Sequence, residues 1–200
     1  MVTNRAAPNP PGEPEGSEST SAQACYHVWD PLVRITHWLL ALSIVLAWLT
    51  RHGAGIWHEW IGYASLSLVV LRVAWGWTGP RYARFVQFVR SPGATVRYGV
   101  RVLERDEPRY LGHNPLGGWM IVALLGTAAL TGVTGWLFTT NALWGEEWLA
   151  NLHEALADAL LGLALLHVTG VATASWRHRE NLVAAMIHGR KRPPSDGDIA

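Results

Sequence analysis

Apolar positions along this chain fall into four blocks, separated by short polar or glycine-rich stretches and by one long basic segment. The blocks run about 33–50, 58–77, 117–138 and 153–173. Each approaches the roughly 20 residues that a helix needs to cross the hydrocarbon core of a bilayer. Asp30-Pro31 reads as the start of the first, with the aspartate capping and proline in the first turn. The third is rich in Gly and Ala (GGWMIVALLGTAALTGVTGWLF), a composition that lets helices approach closely in lipid. Residues 79–114 differ in kind, and within them 82–90 and 93–105 read as short helices lying at the membrane surface. The pattern predicts an all-α protein, an integral membrane four-helix bundle with short interfacial helices.

The flanks are unlike the core. Residues 1–25 hold no apolar stretch resembling a signal peptide, and Pro, Gly, Ser and Glu dominate them. They are expected to form a disordered tail, as are residues 193–200, leaving 26–192 as one membrane domain. Twelve tryptophans cluster near the ends of the apolar blocks, as in the aromatic belts of membrane proteins. The formal charge of +1 is uninformative, but its distribution is not. Seven arginines (81, 84, 90, 97, 101, 105, 109) crowd the 79–114 segment, and 176–192 is basic as well. The positive-inside rule then puts both segments and both termini in the cytoplasm. The connections at 51–57 and 139–151 face outward, toward the periplasm if the membrane is a bacterial inner membrane. The lone Cys25 excludes a disulfide framework and covalent haem attachment through Cys-x-x-Cys-His. No block of interleaved basic and aromatic residues suggests nucleic acid.

Histidines carry the candidate chemistry. His153 and His167 lie fourteen residues apart in the fourth block, about 21 Å along a helix and within roughly 40° of one face. With the topology above, His58 stands at the outer level with His153, and His37 at the inner level with His167. Ionisable groups inside membrane spans are expensive and usually functional. Two pairs at two depths suit two haems, each held by two neutral imidazoles, an arrangement that carries electrons rather than binding oxygen. Arg72, fourteen residues after His58, falls at the inner level, and Arg34 lies three residues before His37. Both are candidates for the haem propionates, though each could equally be a cation reaching the inner interface. His27, His52, His113, His178 and His188 sit in loops or near span ends and need no special role. In GHNP, Asn114 reads as a cap ahead of Pro115, with a competing reading in which His113 and Asn114 hydrogen-bond a quinone. Glu146 and Glu147 on the outer connection could dock a basic partner or simply be solvated.

VWDPLVRITHW at 28–38, HEWIGY at 58–63, GHNPLGGWM at 112–120, and LHEALADALLGLALLHVTGV followed by HRENLVAAMIHGRKR resemble the bacterial cytochrome b561 group and the related b-type cytochrome subunits of nickel–iron hydrogenases. The resemblance covers about residues 26–192. It implies a four-helix membrane bundle with two non-covalent b haems, axial histidines at His37, His58, His153 and His167, and electron exchange with ubiquinone or menaquinone. The implied redox partner is a c-type cytochrome, or a dehydrogenase such as the hydrogenase that some members anchor. The additional span of many hydrogenase b subunits is missing here, which favours the cytochrome-c-linked branch and leaves the hydrogenase anchor open. Two rivals remain: a stand-alone superoxide or quinone oxidoreductase, and a haem-free transporter whose histidines bind metal or protons. Direction of flow and a homodimer stay open, as does whether the chain is an enzyme or an electron carrier.

Overall fold

The structure, a computed structural model, describes residues 26–53, 55–195 and 197–199. The N-terminal stretch expected to be disordered lies outside them. Seven α-helices are present among the described residues: α1 (Pro31–Thr50), α2 (Ile56–Thr78), α3 (Phe85–Phe88), α4 (Pro92–Glu104), α5 (Pro115–Phe138), α6 (Glu147–Arg177) and α7 (Leu182–His188). A 3-10 turn occupies Arg81–Ala83, and two short strands, β1 (Tyr26–His27) and β2 (Arg190–Lys191), pair antiparallel.

Capping chemistry sets the helix starts. Asp30 Oδ1 accepts from the backbone N–H groups of Leu32 and Val33 at 2.7 and 3.2 Å, and Asn114 Oδ1 accepts from Gly117 N–H at 2.7 Å. Each is followed by a proline, whose fixed φ suits the first turn and whose missing N–H costs nothing there. The helix-start reading of GHNP therefore accounts for Asn114. Helices α1, α5 and α6 are long and apolar enough to cross a membrane. At 23 residues α2 is also long enough but more polar, since it carries Glu59, Arg72 and two serines. At 31 residues α6 extends about 46 Å. It begins six residues before the expected span and ends four after it.

Neighbouring helices pack in the order α1–α2–α5–α6. Little of their surface is buried. Leu39, Leu42, Val45, Leu49, Val70, Leu130, Leu165, Leu166 and Val168 are exposed, a pattern suited to lipid rather than water. Two glycines face the 81–90 segment at close range. A Cβ on Gly118 would lie 2.4 Å from the Phe88 carbonyl oxygen, and one on Gly76 would overlap the Phe85 ring. Small residues thus let the 81–90 segment tuck against α2 and α5.

One end of the helices gathers the N-terminal strand, the arginine-rich segment and the C-terminal residues. Val28 and Trp29 donate their N–H groups to the Gly189 carbonyl, and Arg177 reaches Glu107 at 2.9 Å. Of residues 193–200, expected to be a disordered tail, the described ones (193–195 and 197–199) run back over this end. Leu111 N–H donates to the Ile199 carbonyl, Ile199 N–H donates to the Arg109 carbonyl, and Tyr110 and Ile199 form a parallel bridge. The reason is Arg109, which is buried and forked onto Glu180 at 2.7 and 3.2 Å, bonded to Asp198, and also donates to the Arg192 and Pro193 carbonyls. A buried cation with five donors and two carboxylates holds the chain that supplies them.

Burial alone would raise the Glu180 carboxyl, but hydrogen bonds from Arg109 and the Arg192 backbone more than offset it and hold it below its ordinary value. Asp198 is likewise held low: burial opposes this, while bonds from Ser195 and Arg109 outweigh it. Both carboxyls titrate lower folded than unfolded. Their contribution is therefore complete above the ordinary carboxylate pKa of about 4 and is lost as pH falls through the lowered folded values. Hydrogen exchange at 190–195 and 197–199 should show protection at neutral pH that is lost as pH falls below the ordinary carboxylate range, and Arg109→Gln should remove it already at neutral pH. Gly118→Ala should destabilise the fold by about 1–3 kcal/mol in thermal melts, because backbone rather than a flexible side chain stands in the way. Gly99→Ala in α4, where a Cβ meets nothing within 4 Å, should be neutral or stabilising.

Candidate functional site

Histidines close the gaps that the helices leave open. Along their lengths α6 does not pack extensively against α1 or α2. It meets them through side chains: the rings of His58 and His153 lie 6.2 Å apart centre to centre, and those of His37 and His167 6.4 Å apart. The four histidines expected to act together are brought together, in the expected pairs. A bond of about 2 Å from each imidazole nitrogen to a shared metal, with each ring centre roughly 1 Å further back, separates the centres by about 6 Å. The two separations match that requirement. Among the described residues no group of three or more His, Cys, Asp or Glu could hold a metal ion. A metal between the two rings of either pair would have two protein ligands and would take the rest from elsewhere, as haem iron takes them from its macrocycle. Gly62 lies one turn beyond His58 on the same side of α2, and a Cβ there would meet nothing within 4 Å, which leaves room beside the outer pair for a flat group.

The outer pair is anchored by neighbouring helices. His58 Nδ1 lies 3.1 Å from the Ala47 carbonyl, in the last turn of α1, and 3.3 Å from Thr50 Oγ1. His153 Nδ1 lies 3.0 Å from the Thr131 carbonyl and 3.1 Å from Thr134 Oγ1, both on α5. A carbonyl can only accept, so each Nδ1 carries the proton and each Nε2 keeps its lone pair for a ligand. Gly135 completes the setting, since a Cβ there would sit 2.9 Å from His153 Cε1. Sequence reading missed Thr131 and Thr134. Their spacing puts both on one face of α5, but nothing along the chain says which helix that face meets.

The inner pair lacks such anchors. His37 Nδ1 is buried without a partner, and the ring packs edge-on against Trp38 at 5.1 Å. Arg72 is buried on α2, gives one long hydrogen bond of 3.4 Å to the Ala83 carbonyl, and lies 5.5 Å over the Phe85 ring. No carboxylate among the described residues forms an ion pair with it. Arg34 donates to the Ile187 carbonyl at the end of α7, and its Nε is buried without a partner.

His113, expected to be an ordinary loop histidine or a quinone ligand, is enclosed. It stacks between Trp29 at 4.5 Å and Phe88 at 4.8 Å, and its Nδ1 has no partner. Burial pushes the imidazole down to about 3, with Lys191 and Arg72 adding to the effect. It is thus neutral at any physiological pH, and a hydrogen-bonding group rather than a charge. A cavity of about 20 Å³, room for one water, opens beside it between Tyr82, Phe88, Tyr110 and Ile199. Asn114 is occupied as the α5 cap.

Comparison with known proteins agrees with this geometry. The family described as prokaryotic cytochrome b561 matches residues 28–189. Proteins called probable Ni/Fe-hydrogenase B-type cytochrome subunit are similar throughout. The one from Azotobacter vinelandii is 26% identical over 193 residues, covering 82% of this chain and 77% of the relative. That from Azotobacter chroococcum is 24% identical, covering 88% and 92%, and that from Rhodobacter capsulatus 24% identical, covering 88% and 85%. No solved structure matches the chain.

The anchoring of the outer pair makes a spectroscopic prediction. In the protein without cofactor, ¹⁵N chemical shifts should report the Nδ1–H tautomer for His58 and His153. A dominant Nε2–H tautomer at either would contradict the carbonyl contacts. Gly135→Val should displace the His153 ring and disturb its signal while leaving that of His58 in place.

Proposed function

The chain belongs to the prokaryotic cytochrome b561 family and is a membrane b-type cytochrome of electron transfer, and from this premise we propose that it holds two haem b groups, one per histidine pair, and links the quinone pool to a redox partner. The observation that carries the two-haem reading is the pair of ring separations, 6.2 and 6.4 Å, across helices that otherwise leave gaps. In this reading α1, α2, α5 and α6 form a four-helix transmembrane bundle within one domain of residues 26–192. The polar α2 is sheltered between α1 and α5. The arginine-rich end faces the cytoplasm of a bacterial inner membrane, by the positive-inside rule.

Each haem, when bound, supplies a one-electron ferric–ferrous couple. His58 and His153 offer Nε2 lone pairs fixed by carbonyls on α1 and α5. His37 and His167 offer a second pair one fourteen-residue repeat away, about 21 Å along α6. Arg72 and Arg34 would answer propionates at the inner level, where their buried N–H groups lack full partners. We place a quinol head group near the same level, with His113 as hydrogen-bonding group and Asn114 beside it. Neutral His113 can take a proton bond without holding a charge in the apolar interior.

The names of the relatives support a second form of the same reading, in which the chain is the membrane anchor of a nickel–iron hydrogenase. Exposed Glu146 and Glu147 on the opposite end support docking of a basic partner such as a c-type cytochrome. Purification of the native complex decides between them: hydrogenase subunits eluting with the chain support the anchor, a c-type cytochrome the alternative.

Purified protein should show a reducible b-type absorption spectrum and two haems per chain by pyridine haemochrome. His58→Ala and His153→Ala should each remove the same haem, and His37→Ala and His167→Ala the other. Loss of different haems in His58→Ala and His153→Ala would overturn the pairing. A protein without a reducible absorption band would overturn the haem reading and return the transporter to consideration.

A further inference from the structure

The two outer imidazoles dock on the same local device, built once on α1 and once on α5. His58 Nδ1 meets the Ala47 carbonyl and the Thr50 hydroxyl, at 3.1 and 3.3 Å. His153 Nδ1 meets the Thr131 carbonyl and the Thr134 hydroxyl, at 3.0 and 3.1 Å. In both, the hydroxyl belongs to a threonine three residues after the carbonyl, one turn along the same helix face. The threonine proton is spent on its own helix. Thr50 Oγ1 donates back to the Leu46 carbonyl at 2.7 Å, and Thr134 Oγ1 to the Leu130 carbonyl at 2.9 Å. The Ala47 and Thr131 carbonyls stand slightly further off, at 3.2 and 3.0 Å. A hydroxyl has one proton and two lone pairs, so each threonine oxygen is left to accept from the imidazole. Each Nδ1–H, made a donor by the carbonyl it faces, is shared between two oxygens.

Two acceptors fix more than a tautomer. One acceptor lets a ring pivot about its N–H direction, and a second, a helical turn away, limits the pivot. The bond back to the preceding turn holds each threonine in the rotamer that aims its oxygen at the ring. Thr134 is buried, and Gly135 beside it leaves the room that the His153 ring occupies. The result is visible in the planes. Those of His58 and His153 cross at 88°, against 58° for His37 and His167.

We propose that Thr50 and Thr134 are positioning residues of the outer haem site: their hydroxyls hold the His58 and His153 imidazoles with crossed planes and make both stronger donors to iron. The assignment rests on the two-haem reading above. A hydrogen bond accepted from Nδ1–H pushes electron density into the ring and raises the basicity of Nε2. A more basic axial ligand favours ferric over ferrous iron, so the two hydroxyls lower the potential of the outer haem. Crossed planes leave a second mark. Each imidazole then overlaps a different iron d orbital, the two orbitals stay close in energy, and the low-spin ferric EPR signal is more anisotropic than parallel planes give.

The test is made on the full chain in detergent, purified with its haem. Wild type is compared with Thr50→Val, Thr134→Val, the double valine variant, Thr50→Ser and Thr134→Ser, and His58→Ala identifies the outer component. Valine keeps the branched shape without the acceptor, and serine keeps the hydroxyl. In redox titrations each valine variant should shift the outer component about threefold toward the reduced form, about 28 mV for one electron, and the double variant about ninefold. The inner component should stay in place, and the serine variants should stay near wild type. The outer EPR signal should lose anisotropy in the double valine variant. In the protein without cofactor, Thr134→Val should move the Nδ1 ¹⁵N signal of His153 and not that of His58, and Thr50→Val the reverse. An outer potential or EPR signal unmoved in the double valine variant overturns the proposal. So do serine variants that shift as far as valine, and inner and outer potentials that move together as from a loosened fold. Should wild type carry a single haem, or His58→Ala leave both components, the two-haem reading itself has failed. Two haems with an unmoved outer potential remove only the role of the threonines.

Discussion

Imidazole in an apolar surrounding needs partners for its nitrogens, and the long helices bring four imidazoles together in two pairs, of which the outer has both Nδ1 atoms partnered. Helix α6 carries His153 and His167 on one face, and α1 and α2 stand away from it by the width that two facing rings require. Direct packing of α6 against α1 or α2 would be the ordinary result for apolar helices, whose ridges and grooves interlock. Here packing is confined to the α1–α2–α5–α6 sequence of neighbours, and the remaining gaps are bridged by histidine. The anchoring differs between the two levels. Carbonyls of α1 and α5 set the tautomer and direction of the outer rings, whereas His37 at the inner level has a bare Nδ1. The outer rings are held by carbonyls of neighbouring helices, and the His37 ring is left to the groups packed around it.

Those groups form the most elaborate part of the molecule outside the long helices. Arg109 gathers Glu180 and Asp198, Arg177 meets Glu107, and a two-residue ladder joins β1 to β2. Aromatic rings fill the space between this polar layer and the inner histidines, in the order Trp29, His113, Phe88, Phe85, ending under Arg72. Such a layer separates the inner histidine pair from the polar end of the molecule and holds cations over its rings. Gly76 and Gly118 are what permit the aromatic segment to lie so close to α2 and α5.

Much of this was legible along the chain because it depends on local period and composition. All four apolar blocks are helices, three of them long and apolar enough to cross a membrane, and Asp30 and Asn114 cap where the Asx-Pro pairs said they would. The histidine pairing followed from depth alone, since a helix converts residue number into height at 1.5 Å per residue. Other expectations failed for reasons equally physical. The C-terminal residues look disordered by composition, but a buried arginine 89 positions earlier binds Asp198 and holds them. Residues 82–90 were expected to be one short helix and are a 3-10 turn followed by one turn of α-helix, because Arg84 and Val89 adopt extended backbone to fit beneath α2 and α5.

The amino-acid sequence by itself determined the helices, their caps, the level of each histidine and the family to which the chain belongs. All of these are set by neighbours within a few turns or by the repeat of the helix. Tertiary structure alone decided which carbonyls orient His58 and His153, that His113 is enclosed between Trp29 and Phe88, and that Lys191 is buried over the Trp29 ring. These join residues from 11 to more than a hundred positions apart in different elements, and no local period encodes such a meeting. It exists only once the helices have packed and the remaining buried charges have found, or failed to find, their partners.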